Sequence, residues 1–379
     1  MENRQPTYPG RVKMTPVKGL ENIYDMERAD EPTEAGTPLN KETLLRDQTE
    51  IELFGDAANR TVDDAFYYIA MRQNMIINKK ALLHVAVKDE KGLPCTSVPI
   101  MGLSTIDGSV VFTGEDGNAI GYVNSGNQTI RINNVADLSN VSQSGNYEAG
   151  TESFLTLSVT RQNFAKFTSS QKVYFSGDVE NVDVSIVSGG QNGRNGSANS
   201  GLNISGRGGN TGTSVIEYSV SVMPMKEQNL IVGAGGGGIS SFLGITASPA
   251  SSGGGASVTM SDQSTGNSVS GIDGKSVSYK YFSSYSEMSP CGGNGGSGAA
   301  YGVKSPSANG GSGSSPFGGS GGNVNGYSGS HTKGDNATGY GGAGGGGAGF
   351  PGIASQISGG SGFQGIITMR IHFKEGITE

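Results

Sequence analysis

The sequence predicts a mainly β protein with a glycine-rich, polyglycine-II-like bundle in its second half and short trimerising helices near its N-terminus, an elongated and fibrous architecture. Three observations predict it. Glycine is segregated: residues 1–180 hold 14 of the 65 glycines, and the remaining 199 residues hold 51. The glycines come in separate runs, and β-branched strands bracket those runs at both ends. Helical spacing of apolar residues is confined to residues 38–76. The chain is expected to divide into an extended attachment segment (1–40), a helical region (41–80), a β-sandwich spacer (81–165) and a glycine-rich domain (166–379).

Residues 1–40 are punctuated by Pro6, Pro9, Pro16, Pro32 and Pro38. Each proline fixes φ and removes a donor, so irregular extended chain is expected. The segment also carries spaced apolar residues, among them Tyr8, Val12, Met14, Val17, Ile23, Tyr24 and Met26. A linker has no use for them; a segment that docks along another surface does. These seven are the candidate attachment residues.

Helical pattern follows. "PLNKETLLRDQTEIELFG" places Leu39, Leu44, Leu45, Ile51 and Leu53 at roughly helical spacing, with Gly55 as a stop. "TVDDAFYYIAMRQNMI" opens with Thr61 and Asp64 at capping-box spacing. Val62, Ala65, Phe66, Ile69 and Met75 then supply an apolar stripe. Helices of this length are marginal alone in water. The simplest partner is a copy of the same helix, and a three-chain bundle is expected; packing within one chain is the alternative.

Residues 81–160 switch to strand pattern. "LLHVAVKD", "GSVVFTGEDGNAIGYV", "NQTIRINNV" and "FLTLSVTR" read as strands and hairpins, with a turn at Glu115-Asp116-Gly117-Asn118. The layout resembles a small seven-stranded Ig-like sandwich. Asp107-Gly108 and Asp116-Gly117 are read as turn chemistry rather than calcium ligands.

The glycine-rich half opens with the strand-like "VDVSIVSGG", contains "SVIEYSVSVMP" and "NLIVGAGGGG", and closes with "GFQGIITMRIHF". A disordered tail has no reason to be fenced by strands. Extended helices with three residues per turn have no internal hydrogen bonds, so their N–H and C=O groups point outward. With hydrogen as the side chain, such rods can approach and bond one another, which satisfies the rule that buried backbone groups are paired. "GYGGAGGGGAGFPG" (339–352), nine glycines in fourteen residues, is therefore read as an interior rod rather than a tether.

Several functions are disfavoured. The net charge is −7, and all of it falls in residues 1–180, because the second half carries nine basic and nine acidic residues. A chain without a basic block suits neither nucleic acid nor anionic lipid, so neither nucleic-acid binding nor membrane insertion is expected. No run approaches the ~18 apolar residues of a membrane helix. "MENRQPTYPG" lacks the hydrophobic stretch of a signal peptide. Cys95 and Cys291 are far apart, without metal-ligand spacing, and are expected to be unpaired. "GAGGGG" satisfies GxGxxG, but the chain after it is β-branched and broken by Pro249, where a dinucleotide site needs a helix. "GKS" lacks its upstream glycine, and one "RGG" is not an RNA-binding tract. Catalysis is not expected: the carboxylates of the second half are scattered, and glycan hydrolysis generally needs two facing ones. No cofactor or metal is expected.

What remains is the decoration between runs. "SYKYFSSYSEM" (278–288) carries Tyr279, Tyr281 and Tyr285, and "NVNGYSGSHTKGDNATGY" (323–340) carries Tyr327, His331, Asp335 and Tyr340. Aromatic rings with polar tips suit recognition at small entropic cost. The alternative is that they pack between rods or across a trimer axis.

Two stretches go beyond pattern. "PTYPGRVKMTPVKGLENIYDMERADEPTEAGTPLNKETLL" (6–45) resembles the N-terminal segment of tail-fibre and receptor-binding proteins from phages of Gram-positive hosts. Residues 168–373 are similar in layout to the glycine-rich domain of phage tail adhesins, through "VDVSIVSGG", "NLIVGAGGGGISSFLG", "SSGGGAS" and "GGAGGGGAGF…GFQGIITMRIHF". Runs here are less regularly spaced, and residues 256–290 look like an insertion. The resemblance implies a homotrimer in the virion, made in the host cytoplasm, attached to a baseplate or tail protein through residues 1–45. It also implies distal loops that read a host cell-wall or capsular polysaccharide. A purely structural fibre such as a collar or whisker is the alternative, and a glycan depolymerase a more remote one.

Overall fold

The computed structural model describes residues 5–6, 12–18, 24–28, 32–34, 45, 47–54, 60–199, 202–251, 259–260, 270, 273–274, 281–282, 287–288, 295–300, 307–313, 317–325, 331–349 and 357–377. The chain forms two compact units, one of Met1–Ala81 with Glu148–Thr151 and one of Leu82–Tyr147 with Glu152–Glu379. It is mainly β, with several antiparallel sheets and two helices among the described residues.

In the first unit, β1 (Val12–Pro16) pairs antiparallel with β2 (Tyr24–Arg28), setting Met14 opposite Met26 and Pro16 opposite Tyr24. The proline pattern predicts irregular chain here; the structure has a hairpin. A two-stranded ribbon consists of edges, and Pro16 ends its strand, so the missing donor costs little. Helix α1 (Asp47–Phe54) precedes α2 (Val62–Ile77). The expected capping box is present: Asp64 N–H donates to Thr61 Oγ1 at 3.1 Å, and Thr61 N–H donates to Asp64 Oδ2 at 2.8 Å. Helix α2 buries Ala65 and Met75, and its Tyr68 ring lies 4.8 Å from Phe54 of α1. Phe66, Tyr67, Ile69, Ile76 and Ile77 are exposed.

The second unit begins with β3 (Lys80–Lys88, from Leu82), β4 (Pro99–Ser104), β5 (Val110–Phe112), β6 (Asn118–Asn124), β7 (Gly126–Ile132), β8 (Val141–Tyr147) and β9 (Glu152–Ser158). In place of the expected two-sheet sandwich, they form one nearly closed, barrel-like sheet. Its order is β8-β7-β4-β6-β3-β9, with β5 also on β4 and β9 parallel to β3. The reason lies in β4. Gly102 has φ +97, and a Cβ there would sit 2.7 Å from Thr129 O. The bent strand pairs with β7 at Met101 and with β6 at Ser104, joining what a sandwich keeps apart. Cys95 is buried and unpaired, and burial pushes its thiol up to about 12. Cys291 lies outside the described residues.

Next come β10 (Phe164–Phe167), β11 (Gln171–Val173), β12 (Val179–Val187), β13 (Ser214–Val220), β14 (Gln228–Ile231), β15 (Ser240–Phe242), β16 (Ile245–Ala247) and β17 (Ile366–Phe373). They make two four-stranded sheets, β10-β17-β12-β13 and β11-β14-β15-β16. The sheets share a core of Phe175, Val182, Val184, Ile186, Leu230, Phe242, Ile367 and Met369. A buried ion network ties this sandwich to the barrel. Arg161 Nε lies 2.9 Å from Asp89 Oδ2, and its Nη1 lies 2.8 Å from Asp178 Oδ2, all three side chains being at most 5% exposed. Arg161 Nη2 also donates to Pro94 O, and Thr96 Oγ1 donates to Asp178 Oδ1. Beside it, Asp137 accepts from Ser176 N–H and Ser176 Oγ. Burial pushes the Asp137 carboxyl up, against those hydrogen bonds.

Candidate functional site

The glycine runs leave the sandwich from its strand ends. β12 continues into residues 188–196, residues 206–213 lead into β13, and residues 357–365 lead into β17. At the centre lies the run 341–349, buried throughout. Successive N–H groups go to different neighbours: Gly344 donates to Gln191 O (3.0 Å), Gly345 to Asp335 O (2.9 Å) and Gly346 to Gly296 O (2.9 Å). Gly347 then returns to the first neighbour, at Arg194 O (3.0 Å). The carbonyls repeat the pattern. Gly344 O accepts from Gly209, Gly345 O from Gly360, Gly346 O from Gly322, and Gly347 O from Gly206. The central run is thus bonded to six surrounding runs, and the pattern repeats every three residues, as a three-residue turn requires.

The lattice needs glycine for space. A Cβ on Gly344 would lie 2.0 Å from Gly360 O, on Gly345 1.9 Å from Ser320 O, on Gly346 1.9 Å from Gly206 O, and on Gly347 2.0 Å from Ile357 O. None of these four has a positive φ, so the demand is steric and not conformational. Where the spacing admits a methyl, at Ala343 and Ala348, the residue is alanine and fully buried.

The lattice has two unlike ends. At the sandwich end, Phe317 and Tyr340 pack on Val187 and Ile366. The Tyr340 ring meets Phe363 edge-on at 5.5 Å, and Lys166 Nζ sits 5.1 Å above it. At the far end, Gly196 bonds Ile357, and Gly349 bonds Ala299. Eight ends of the described runs meet here, at residues 196, 206, 300, 309, 323, 332, 349 and 357. Short ribbons adjoin some of these ends: Ser197–Asn199 on Leu202–Ile204, and Ser307–Ala308 on Val324–Asn325.

The recognition residues expected from the sequence fall at different levels. His331 stands at the far end next to Thr332, whose N–H donates to Asn323 O; burial lowers the imidazole below its ordinary range. Asp335 lies on a peripheral run, its N–H on Ser320 O and its C=O on Gly345, with the side chain exposed. Tyr340 lies at the sandwich end. At about 3.1 Å per residue, the run from 332 to 340 spans about 25 Å, so His331 and Tyr340 do not share a surface. Tyr281 belongs to a two-residue strand, Tyr281–Phe282, and its side chain lies outside the described residues, as do Tyr279, Tyr285 and Tyr327. Of the attachment residues, Val12, Met14, Tyr24 and Met26 are exposed on the hairpin, and Val17 is half-buried. Tyr8 and Ile23 lie outside the described residues. Residues directly opposite in a ribbon share a face, so Met14 and Met26 lie on one side, with Val12 and Tyr24 two positions away.

The sequence reading missed the asparagines that finish the lattice edge. Asn192 Oδ1 accepts from Gly362 N–H at 2.8 Å, Asn195 Oδ1 from Gly359 N–H at 3.1 Å, and Asn336 Oδ1 from Ser361 N–H at 2.8 Å. Each side-chain carbonyl stands where a further rod would offer a backbone one. The signal was "NGRNG", asparagine recurring after three residues beside glycine. No family model and no curated protein matches the chain.

Proposed function

We propose that the protein is a virion tail fibre or receptor-binding protein that holds the tail or baseplate through residues 1–45 and adsorbs to a host cell-surface glycan through its glycine-rich region. In this reading the lattice is a polyglycine-II-type bundle, the α2 helices of three chains associate, and the assembly is fibrous. The carrying observation is the polarity of the lattice: a block bonded through its main chain, rooted in a sandwich at one end, with eight described run ends gathered at the other. Such a block presents loops without lending them its own mobility, which reduces the ordering cost of binding. The apolar face of the N-terminal hairpin supports docking to a virion partner. Recognition is reversible and involves no covalent chemistry, and three weak sites gain by avidity. Particles assembled with a chain lacking residues 1–45 are expected to lose the fibre, while the purified truncated protein still binds cells. Loss of both together contradicts this division of labour.

A further inference from the structure

The outer face of the barrel carries a trough far in sequence from the lattice loops. Strands β6, β3 and β9 lie side by side there. The parallel register of β3 and β9 sets Phe154 opposite His84 and Thr156 opposite Ala86. Ala86 is only a methyl, so the middle strand is low between Ile120 of β6 and Phe154 of β9. The resulting cavity, about 380 Å³, is lined by His84, Ala86, Asp116, Asn118, Ile120 and Phe154 among others.

Its walls differ in character. Phe154 is 81% exposed, an unusual position for a large apolar ring. His84 stacks on it with centroids 4.7 Å apart and planes at 21°. His84 Nε2 also lies 3.6 Å from Glu152 Oε2. Ile120, also exposed, forms the opposite wall. Asp116 and Asn118 close one end. Asn118 donates its backbone N–H to Asp116 Oδ1 at 3.0 Å and its side-chain Nδ2 to Oδ2 at 2.8 Å. A carboxylate has about four acceptor positions, so these two bonds leave capacity for hydroxyl donors.

We propose that this trough is a carbohydrate subsite, taking the apolar face of one pyranose ring on Phe154 and its hydroxyls on Asp116 and Asn118. A pyranose is apolar on its C–H face and polar around its rim, and the trough repeats that division: ring and isoleucine along its length, a carboxylate and an amide at one end. Its volume is at the lower end of small-molecule pockets, which run from about 300 Å³. A contact with a second copy of the chain fits less well, because the cores of protein interfaces are depleted of acidic side chains, and Asp116 lines this trough. The site stands apart from the far-end loops and does not rest on their role.

The test is saturation-transfer NMR on the full chain with the methyl glycosides of glucose, galactose, N-acetylglucosamine and rhamnose. Saturation is expected on the ring C–H protons of at least one glycoside. It should fall about tenfold in Phe154→Ala and survive in Phe154→Tyr, which keeps the ring. Because Phe154 is exposed, the alanine variant should keep its unfolding temperature. Saturation by none of the four, or saturation unchanged in Phe154→Ala, overturns the proposal. A sedimenting mass that drops in Phe154→Ala with no sugar signal in the parent overturns it as well and assigns the face to a contact between copies. Cell adsorption is scored separately: Phe154→Ala that still adsorbs leaves the far-end reading untouched.

Discussion

Gly345 donates its N–H to the carbonyl of Asp335 at 2.9 Å, and the next residue, Gly346, turns to Gly296 on another side. That alternation makes the described glycine runs a three-dimensional hydrogen-bonded lattice rather than a sheet. In a sheet the same groups would alternate between two neighbours.

A single methyl at the centre should be costly. In Gly345→Ala, the new Cβ meets Ser320 O at 1.9 Å, and a main-chain oxygen held in the lattice cannot swing aside. A loss of about 3 kcal/mol or more is expected, at the upper end of overpacking penalties. Ala343→Gly, at a buried position that already admits a methyl, should cost about 1 kcal/mol or less. Urea unfolding of both variants checks this; a Gly345→Ala midpoint equal to the parent's contradicts the lattice.

Arg161 joins barrel and sandwich through Asp89 and Asp178. Arg161→Met leaves two buried carboxylates without their cation, and a loss of about 3–5 kcal/mol is expected. Burial pushes the Asp89 carboxyl up, but Arg161 and the N–H groups of Leu93 and Lys91 outweigh it and hold the group below its ordinary range. A carboxyl depressed in the folded state stabilises above its unfolded value and loses that contribution as pH falls through the folded one. Parent stability should therefore decline on acidification below about pH 4, and Arg161→Met should flatten that decline. Unfolding midpoints from pH 2 to 7 read both effects.

Asp137 works in the opposite sense. Burial raises its carboxyl, so its contribution is full at low pH and is lost as pH rises through the folded value. Asp137→Asn keeps an acceptor for Ser176 N–H and gains a donor toward Ser176 Oγ. Its stability relative to the parent should rise as pH increases above about 4. A difference that stays constant with pH contradicts the assignment.

The exposed side of α2 bears on assembly. Phe66 and Ile69 face outward while Ala65 and Met75 face inward. If three copies meet on this side, sedimentation gives three times the chain mass, and Phe66→Glu with Ile69→Glu brings it to one. A parent that sediments as a single chain contradicts the trimer.

What the sequence revealed was local. The capping box needs only Thr61 and Asp64, three residues apart. The strands β12 and β17 announce themselves by alternation, and the interior run 341–349 by its composition. What stayed hidden depends on pairing between distant segments. Tyr340 reads like its neighbours in the 323–340 stretch, yet its level along the lattice is fixed by contacts with residues 187 and 366. The barrel was hidden because Gly102 looks like any strand glycine until its φ of +97 bends β4 across two partners. Arg161 finds Asp89 72 residues back, a separation no local pattern encodes.

The most direct measurement is binding of fluorescently tagged full chain to candidate host cells, before and after removal of wall polysaccharide, with Tyr327→Ala/His331→Ala in parallel. The expected result is binding by the parent that disappears with the polysaccharide and weakens in the double variant. No binding by a folded parent, or binding indifferent to the polysaccharide, contradicts it and leaves the glycine lattice as scaffold in a structural fibre.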